Sequence, residues 1–320
     1  MSFEKLAWTM IVALGMVTGC GDDADDGSMA DDMGGIGIDM GADTDGGAGD
    51  DMGAMAPAVP ESCTDDGSCA YVLDLLEVPA EMAGRIAGFD VDGTSETICE
   101  FDDFEGGVDN NFSEIAPLLG AFPPMIPIKM LLSDAIVNGT ALVVVGLEGA
   151  DGATPELSVF SGVAPEGGVM TGEDGFVAPG QTFDVEPAVS TTASLVDGVV
   201  DGGPLTVVVN VPIGGGEPAA IQIEEARVQF GFDADGNITG GVIGGFLDLS
   251  VLLVIVAELL EIECTVEEIE AGDCDNPALN LLAGFTDIDT DGDTAECEAI
   301  SVGLIFTGVP ATIGETVSPG

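Results

Sequence analysis

From Asp287 to Glu298 the chain reads Asp-Ile-Asp-Thr-Asp-Gly-Asp-Thr-Ala-Glu-Cys-Glu. Asp287, Asp289, Asp291 and Asp293 fall on alternate positions, Gly292 permits a sharp turn, and Glu298 stands where a bidentate carboxylate closes a shell. Carboxylates spaced this way converge on one hard cation, and Ca²⁺ is the expected cofactor. A second acidic stretch holds Asp90, Asp92, Asp102, Asp103, Glu105 and Asp109. Its Gly106-Gly-Val-Asp-Asn-Asn111 spelling is a turn able to supply cation ligands, without a recognisable ligand spacing.

The first segment fits D-x-[DN]-x-[DN]-G-x₅-E and so resembles an EF-hand loop. It departs from that family at Thr294, where an aliphatic residue is usual. The stretch Ala299 to Phe306 also reads as a strand, not as an exiting helix. The expectation is a stand-alone, calcium-stabilised loop in a β domain. The alternative is an acidic turn pinned by a disulfide.

Elsewhere the composition removes chemistry. The chain has 59 acidic residues, 4 basic ones and no His, for a formal charge of −55. Without His, the Ser-His-Asp and Cys-His nucleophiles, His-ligated zinc and His general bases are excluded. Without clustered cations, nucleic acid is excluded as a partner, because phosphates need neutralising. No G-x-S-x-G or Walker motif occurs. Carboxylate-only enzymes stay formally open, but so many acids give no discrimination between candidate pairs. The reading is therefore non-enzymatic, with a carboxylate-dependent extracellular hydrolase as the alternative.

Cysteines fit an exported chain. Cys63, Cys69, Cys99, Cys264, Cys274 and Cys297 make an even set beside Cys20 and predict three disulfides. Proximity favours Cys63–Cys69 and Cys274–Cys297, which leaves Cys99–Cys264. There is no C-x-x-C pair and no His to complete a zinc site.

The first twenty residues read as a targeting segment. An apolar run from Leu6 to Val17 is too short to span a bilayer and suits a signal peptide. It ends in Val17-Thr18-Gly19-Cys20, which resembles the bacterial lipobox. The resemblance implies a signal peptide over 1–19, lipidation of Cys20 and a membrane partner reached through acyl chains. Gly21 follows the cysteine where Asp would mark inner-membrane retention, so the same resemblance implies an outer-membrane, extracytoplasmic location.

Residues 20–62 carry eleven Asp, Glu61, many Gly and no Lys or Arg. Nothing in this stretch has a hydrophobic period, and it cannot bury enough surface to offset its ordering entropy. It is read as a disordered stalk with an r.m.s. span of roughly 35–40 Å, extended further by self-repulsion.

Residues 63–320 are different. Strand-like stretches occupy 70–76, 84–91, 140–147, 157–163, 205–213, 219–232 and 299–307. In 219–232, Ile221 and Ile223 share one face, while Ala226, Val228, Phe230 and Phe232 share the other parity. A bulge near Glu224-Glu225 would return all six to one buried face. Asp233 to Asn237 reads as a hairpin turn. Gly88-Phe-Asp-Val-Asp-Gly93 echoes Gly231-Phe-Asp-Ala-Asp-Gly236, with Arg85 and Arg227 just before each. The echo reads as two hairpins sharing a turn chemistry, or as a duplication.

Helices are expected over 111–119, 129–137 and 247–262, the last a buried core helix. The fold class is mainly β, a sandwich-like antiparallel domain with a few packed helices. As a whole the chain resembles acidic predicted lipoproteins of myxobacterial type. The expected protein is thus a non-enzymatic, surface-exposed lipoprotein with a binding or an envelope-structural role, and Ca²⁺ is the expected stabiliser of its domain.

Overall fold

The computed structural model describes residues 63–64, 67–80, 86–93, 103–119, 128–212, 218–290 and 297–318. The leader 1–19, Cys20 and the 20–62 stalk lie outside them, as do Arg85, Cys99, Asp102, Asp291 and Asp293.

The chain enters on β1 (Cys69–Glu77), and two helices follow, α1 (Phe112–Leu119) and α2 (Ile128–Val137). Strands β2 (Val143–Glu148), β3 (Glu156–Val163), β4 (Thr182–Val185) and β5 (Ser190–Val196) come next. Three long strands then run back and forth: β6 (Val199–Val211), β7 (Ala219–Phe232) and β8 (Ile238–Asp248). A helical insertion holds α3 (Leu249–Leu259), α4 (Val266–Glu270) and α5 (Pro277–Leu282), and β9 (Ala299–Pro310) and β10 (Thr312–Thr316) end the chain's order.

The sandwich expectation gives way to a barrel. Strands run β3-β2-β1-β9-β8-β7-β6-β5, every pair antiparallel, and β5 then pairs with β3 through Glu156↔Thr192, Leu157↔Thr191 and Ser158↔Ser190. That last ladder closes an eight-stranded sheet on itself. Sandwiches and barrels share the same alternation of inward and outward residues. What separates them is whether the first and last strands meet. β4 lies outside the closed sheet on β3, and β10 pairs with β4 in parallel.

The bulge in β7 lies where the parity shift puts it. The register slips between Glu224 and Arg227 against β8, and Glu225 has a φ of 46°. Ile223, Ala226, Val228 and Phe230 are all buried as a result. The turn after β7 is also as expected, with the Asp233 N–H donating to the Asn237 carbonyl at 3.0 Å. The earlier echo behaves differently. Among its described residues, Phe89 makes an isolated bridge with Asp109, so only the second copy turns a hairpin, and 84–91 is not a strand over its described part.

Inside, aromatic rings meet edge to face. Phe230 lies 5.6 Å from Phe232 and 6.0 Å from Phe306, centroid to centroid. Burying each such ring stabilises the fold by roughly 1.5–3 kcal/mol. Helix α3 starts where Asp248 accepts hydrogen bonds from the N–H groups of Ser250 (2.7 Å) and Val251. Its buried face is Leu252, Leu253, Ile255, Val256 and Ala257, as the core-helix reading of 247–262 expects.

Disulfides correct two of the three pairings. Cys63–Cys69 forms, with Cα atoms 4.4 Å apart. Cys274 joins Cys264 at a Cα distance of 6.0 Å, which overturns both Cys274–Cys297 and Cys99–Cys264. The short helix α4 explains the change. Its capping box of Thr265 and Glu268 starts a tight turn of helix, and the Cys274 N–H returns to the Glu268 carbonyl. The chain therefore reverses within ten residues and brings the two sulfurs together. Cys297 is also disulfide-bonded.

Candidate metal centre

The barrel wall carries a flat place on its outer side. Gly244 of β8 and Gly303 of β9 are direct cross-strand partners. A Cβ on Gly244 would lie 2.7 Å from the Phe89 ring, and one on Gly303 would strike the Ala87 carbonyl and the Asn110 amide. With both side chains absent, Ala87, Phe89 and Asn110 rest directly on the strands.

Asn110 then pairs with β9 as a strand would. The Gly303 N–H donates to Asn110 Oδ1 at 2.9 Å, and Asn110 Nδ2 donates to the carbonyls of Gly303 (3.1 Å) and Ala87 (2.8 Å). β1 pairs with β9 only as far as Glu77↔Ile305, so Asn110 takes over the edge that β1 leaves. Next along, the Asn111 N–H donates to Ser301 Oγ at 2.7 Å.

These anchors fix Asp109. Its N–H donates to the Phe89 carbonyl at 2.9 Å. Its carboxylate, in a residue only 6% exposed, accepts from the N–H groups of Val91 (2.7 Å) and Asp92 (3.3 Å). Asp90 accepts from the Gly93 N–H at 2.6 Å, which holds the Asp90–Gly93 turn. One carboxylate oxygen each from Asp90, Asp92 and Asp109 lies within 4.8 Å of the others.

Three carboxylates this close repel one another. Burial pushes the Asp109 carboxyl up from 3.8 to about 7. The two backbone N–H groups oppose that rise, and the charges of Asp92 and Asp103 add to it. A divalent cation would remove the same strain by neutralising the group. Among the described residues Arg227 does not serve, because it grips Asp201 through Nε (2.8 Å) and an Nη, with its Cζ 4.8 Å from the Phe89 ring centroid. That pairing lowers the Asp201 carboxyl below its ordinary value.

The described residues of the EF-hand-like segment are arranged otherwise. Asp287 is turned to the barrel wall, where its carboxylate accepts from the Ser301 N–H at 2.7 Å and from Ser301 Oγ. Burial raises this carboxyl from 3.8 to about 6; the Ser301 bonds oppose the rise and the charge of Asp92 adds to it. Glu298 accepts from the N–H and Oγ of Thr290, at 3.1 and 3.2 Å. Asp289 is half-buried, and Asp291 and Asp293 lie outside the described residues. Among the described residues, then, the acids that gather are Asp90, Asp92 and Asp109, all three from the second acidic stretch. Ser301 ties the two regions together, receiving from Asn111 and donating to Asp287. Nothing in the sequence marks Ser301 or Asn110 for this role, since both act through strand partners far along the chain.

Oxygen donors alone suit a hard cation such as Ca²⁺ or Mg²⁺, with water or backbone carbonyls filling the shell. No helix among the described residues is long and apolar enough to cross a membrane. Comparison with models of known families, with curated proteins and with solved structures finds no match to this chain.

Proposed function

We propose that the chain is a non-enzymatic, extracytoplasmic lipoprotein whose barrel is stabilised by a divalent cation, Ca²⁺ in the first place. The observation that carries the cation is the convergence of Asp90, Asp92 and Asp109 on a loop laid against the barrel wall. The expected role is binding or structural support in the envelope, delivered by a stable β domain on a charged tether. The tether and the anchor rest on the 20–62 composition and on Val17 to Cys20.

Two experiments test this. Thermal melting of the full chain, stripped of metal and then given millimolar Ca²⁺, should rise for the wild type and not for Asp109→Asn. An equal rise in both removes Asp109 from the site, and no rise in either removes the cation. Mass spectrometry of the membrane fraction should find acyl chains on an N-terminal Cys20. A soluble, unacylated chain overturns the anchor.

A second reading, a carboxylate-dependent hydrolase, is favoured by one observation. Asp109 and Asp287 are both raised toward neutrality, and Asp92 acts on both. A carboxyl whose pKa is raised toward neutrality is suited to act as a general acid. Hydrolysis of extracellular polymers that is lost in Asp109→Asn would favour it over the first.

A further inference from the structure

The interior of the barrel is not filled to its end. Where β1, β6 and β8 finish, helices α1, α2 and α3 pack over the strands and leave an apolar cavity of about 80 Å³. Leu76, Ile223 and Val302 face it from the barrel, and Phe112, Leu132 and Val256 face it from the helices. Its exposed lining carries no polar surface.

We propose that this cavity binds one small, uncharged, apolar molecule, of the size of an aromatic ring or a short alkyl segment. Three physical facts point to that chemistry. Protein interiors pack as densely as organic crystals, so a void of this size leaves its lining short of dispersion contacts that a ligand restores. A cavity without polar partners does not hold water well, so little hydration is lost when an apolar guest enters. Collapse is resisted, because the floor is a hydrogen-bonded ladder and α3 is tied to β8 by the Asp248 cap.

The charge of the guest follows from its surroundings. A buried polar group would find no hydrogen-bond partner there. An anionic head at the rim would meet a domain with 46 acidic and 3 basic residues. Among the described residues, the cation beside this rim is Lys129, next to Ile128, and it is paired with Glu77 at 2.7 Å. Fatty-acid carboxylates are thereby disfavoured, and neutral hydrocarbons are selected.

Benzene titrated into methyl-labelled full chain tests the proposal by NMR. Saturable shifts are expected at the methyls of Ile223, Leu132 and Val302, with surface methyls such as Val163 unmoved. Val302→Phe, which fills the void with its own ring, should weaken the apparent affinity at least ~10-fold. Leu132→Phe fills it from the helical side and serves if the strand variant does not fold. Absence of saturable shifts at those methyls in the wild type overturns the proposal. So does binding that a folded filled variant leaves unchanged.

Discussion

Gly303 and Asn110 are joined by two hydrogen bonds: the glycine donates its N–H to the amide oxygen and accepts from the amide nitrogen. Across the ladder from Gly303 stands Gly244, with Phe89 where its side chain would be. This bare patch of barrel wall is what allows a loop of acids to be held still on it.

Gly303→Ala should therefore destabilise the domain by about 1–3 kcal/mol, since the new methyl meets backbone and the Asn110 amide. It should also weaken cation binding. Gly284→Ala, where no atom lies within 4 Å, should be near neutral. Equal effects in urea unfolding would show that the contact is not what orders the loop.

Stability without metal should fall as pH rises through the acidic range. Burial pushes the Asp109 and Asp287 carboxyls up from the ordinary 3.8 to about 7 and about 6 in the fold. The folded state then binds more protons than the unfolded chain between those values, so stability is lost upward through them. Ca²⁺ competes with the proton on Asp109, so its affinity should rise over the same interval. Melting in EDTA across this range checks the first, and calcium titration at several pH values checks the second.

Ser301→Ala removes the hydroxyl that Asp287 accepts from and that Asn111 donates to. The expected cost is about 1–3 kcal/mol, with the Asp287 carboxyl pushed further above its present value. Denaturant unfolding and the carboxyl ¹³C shift of Asp287 report the two effects. Loss of stability with no movement of that titration would mean that Ser301 acts through Asn111 alone.

Much of this was legible along the chain, and the reasons differ by element. The β7 bulge announced itself because Ile221 and Ile223 change parity with Ala226, Val228 and Phe230. Strand β8 did not, because Thr239-Gly-Gly-Val-Ile-Gly-Gly245 offers almost no alternation to read. The glycines that hide it are the ones that seat Phe89 and accommodate β7. Barrel closure depends on β3 meeting β5, a long-range fact that no local pattern encodes. For the metal, regular spacing drew attention to Asp287 through Glu298. Asp109 joins Asp90 and Asp92 from seventeen or more residues away, by a backbone bridge rather than by spacing.

Cysteine connectivity gives a separate check on the fold. Non-reducing digestion should yield a peptide linking Cys264 to Cys274. Replacing both by Ser should cost roughly 2–4 kcal/mol, the usual scale for removing a closed loop of this kind. A Cys274–Cys297 peptide would contradict the position of α4.

The most direct test of the account is a calorimetric Ca²⁺ titration of the full chain at pH 8, set beside Asp109→Asn and Asp287→Asn. The account predicts a saturable site in the wild type, lost in Asp109→Asn and kept in Asp287→Asn. A site lost in Asp287→Asn and kept in Asp109→Asn would place the cation in the EF-hand-like loop and contradict it.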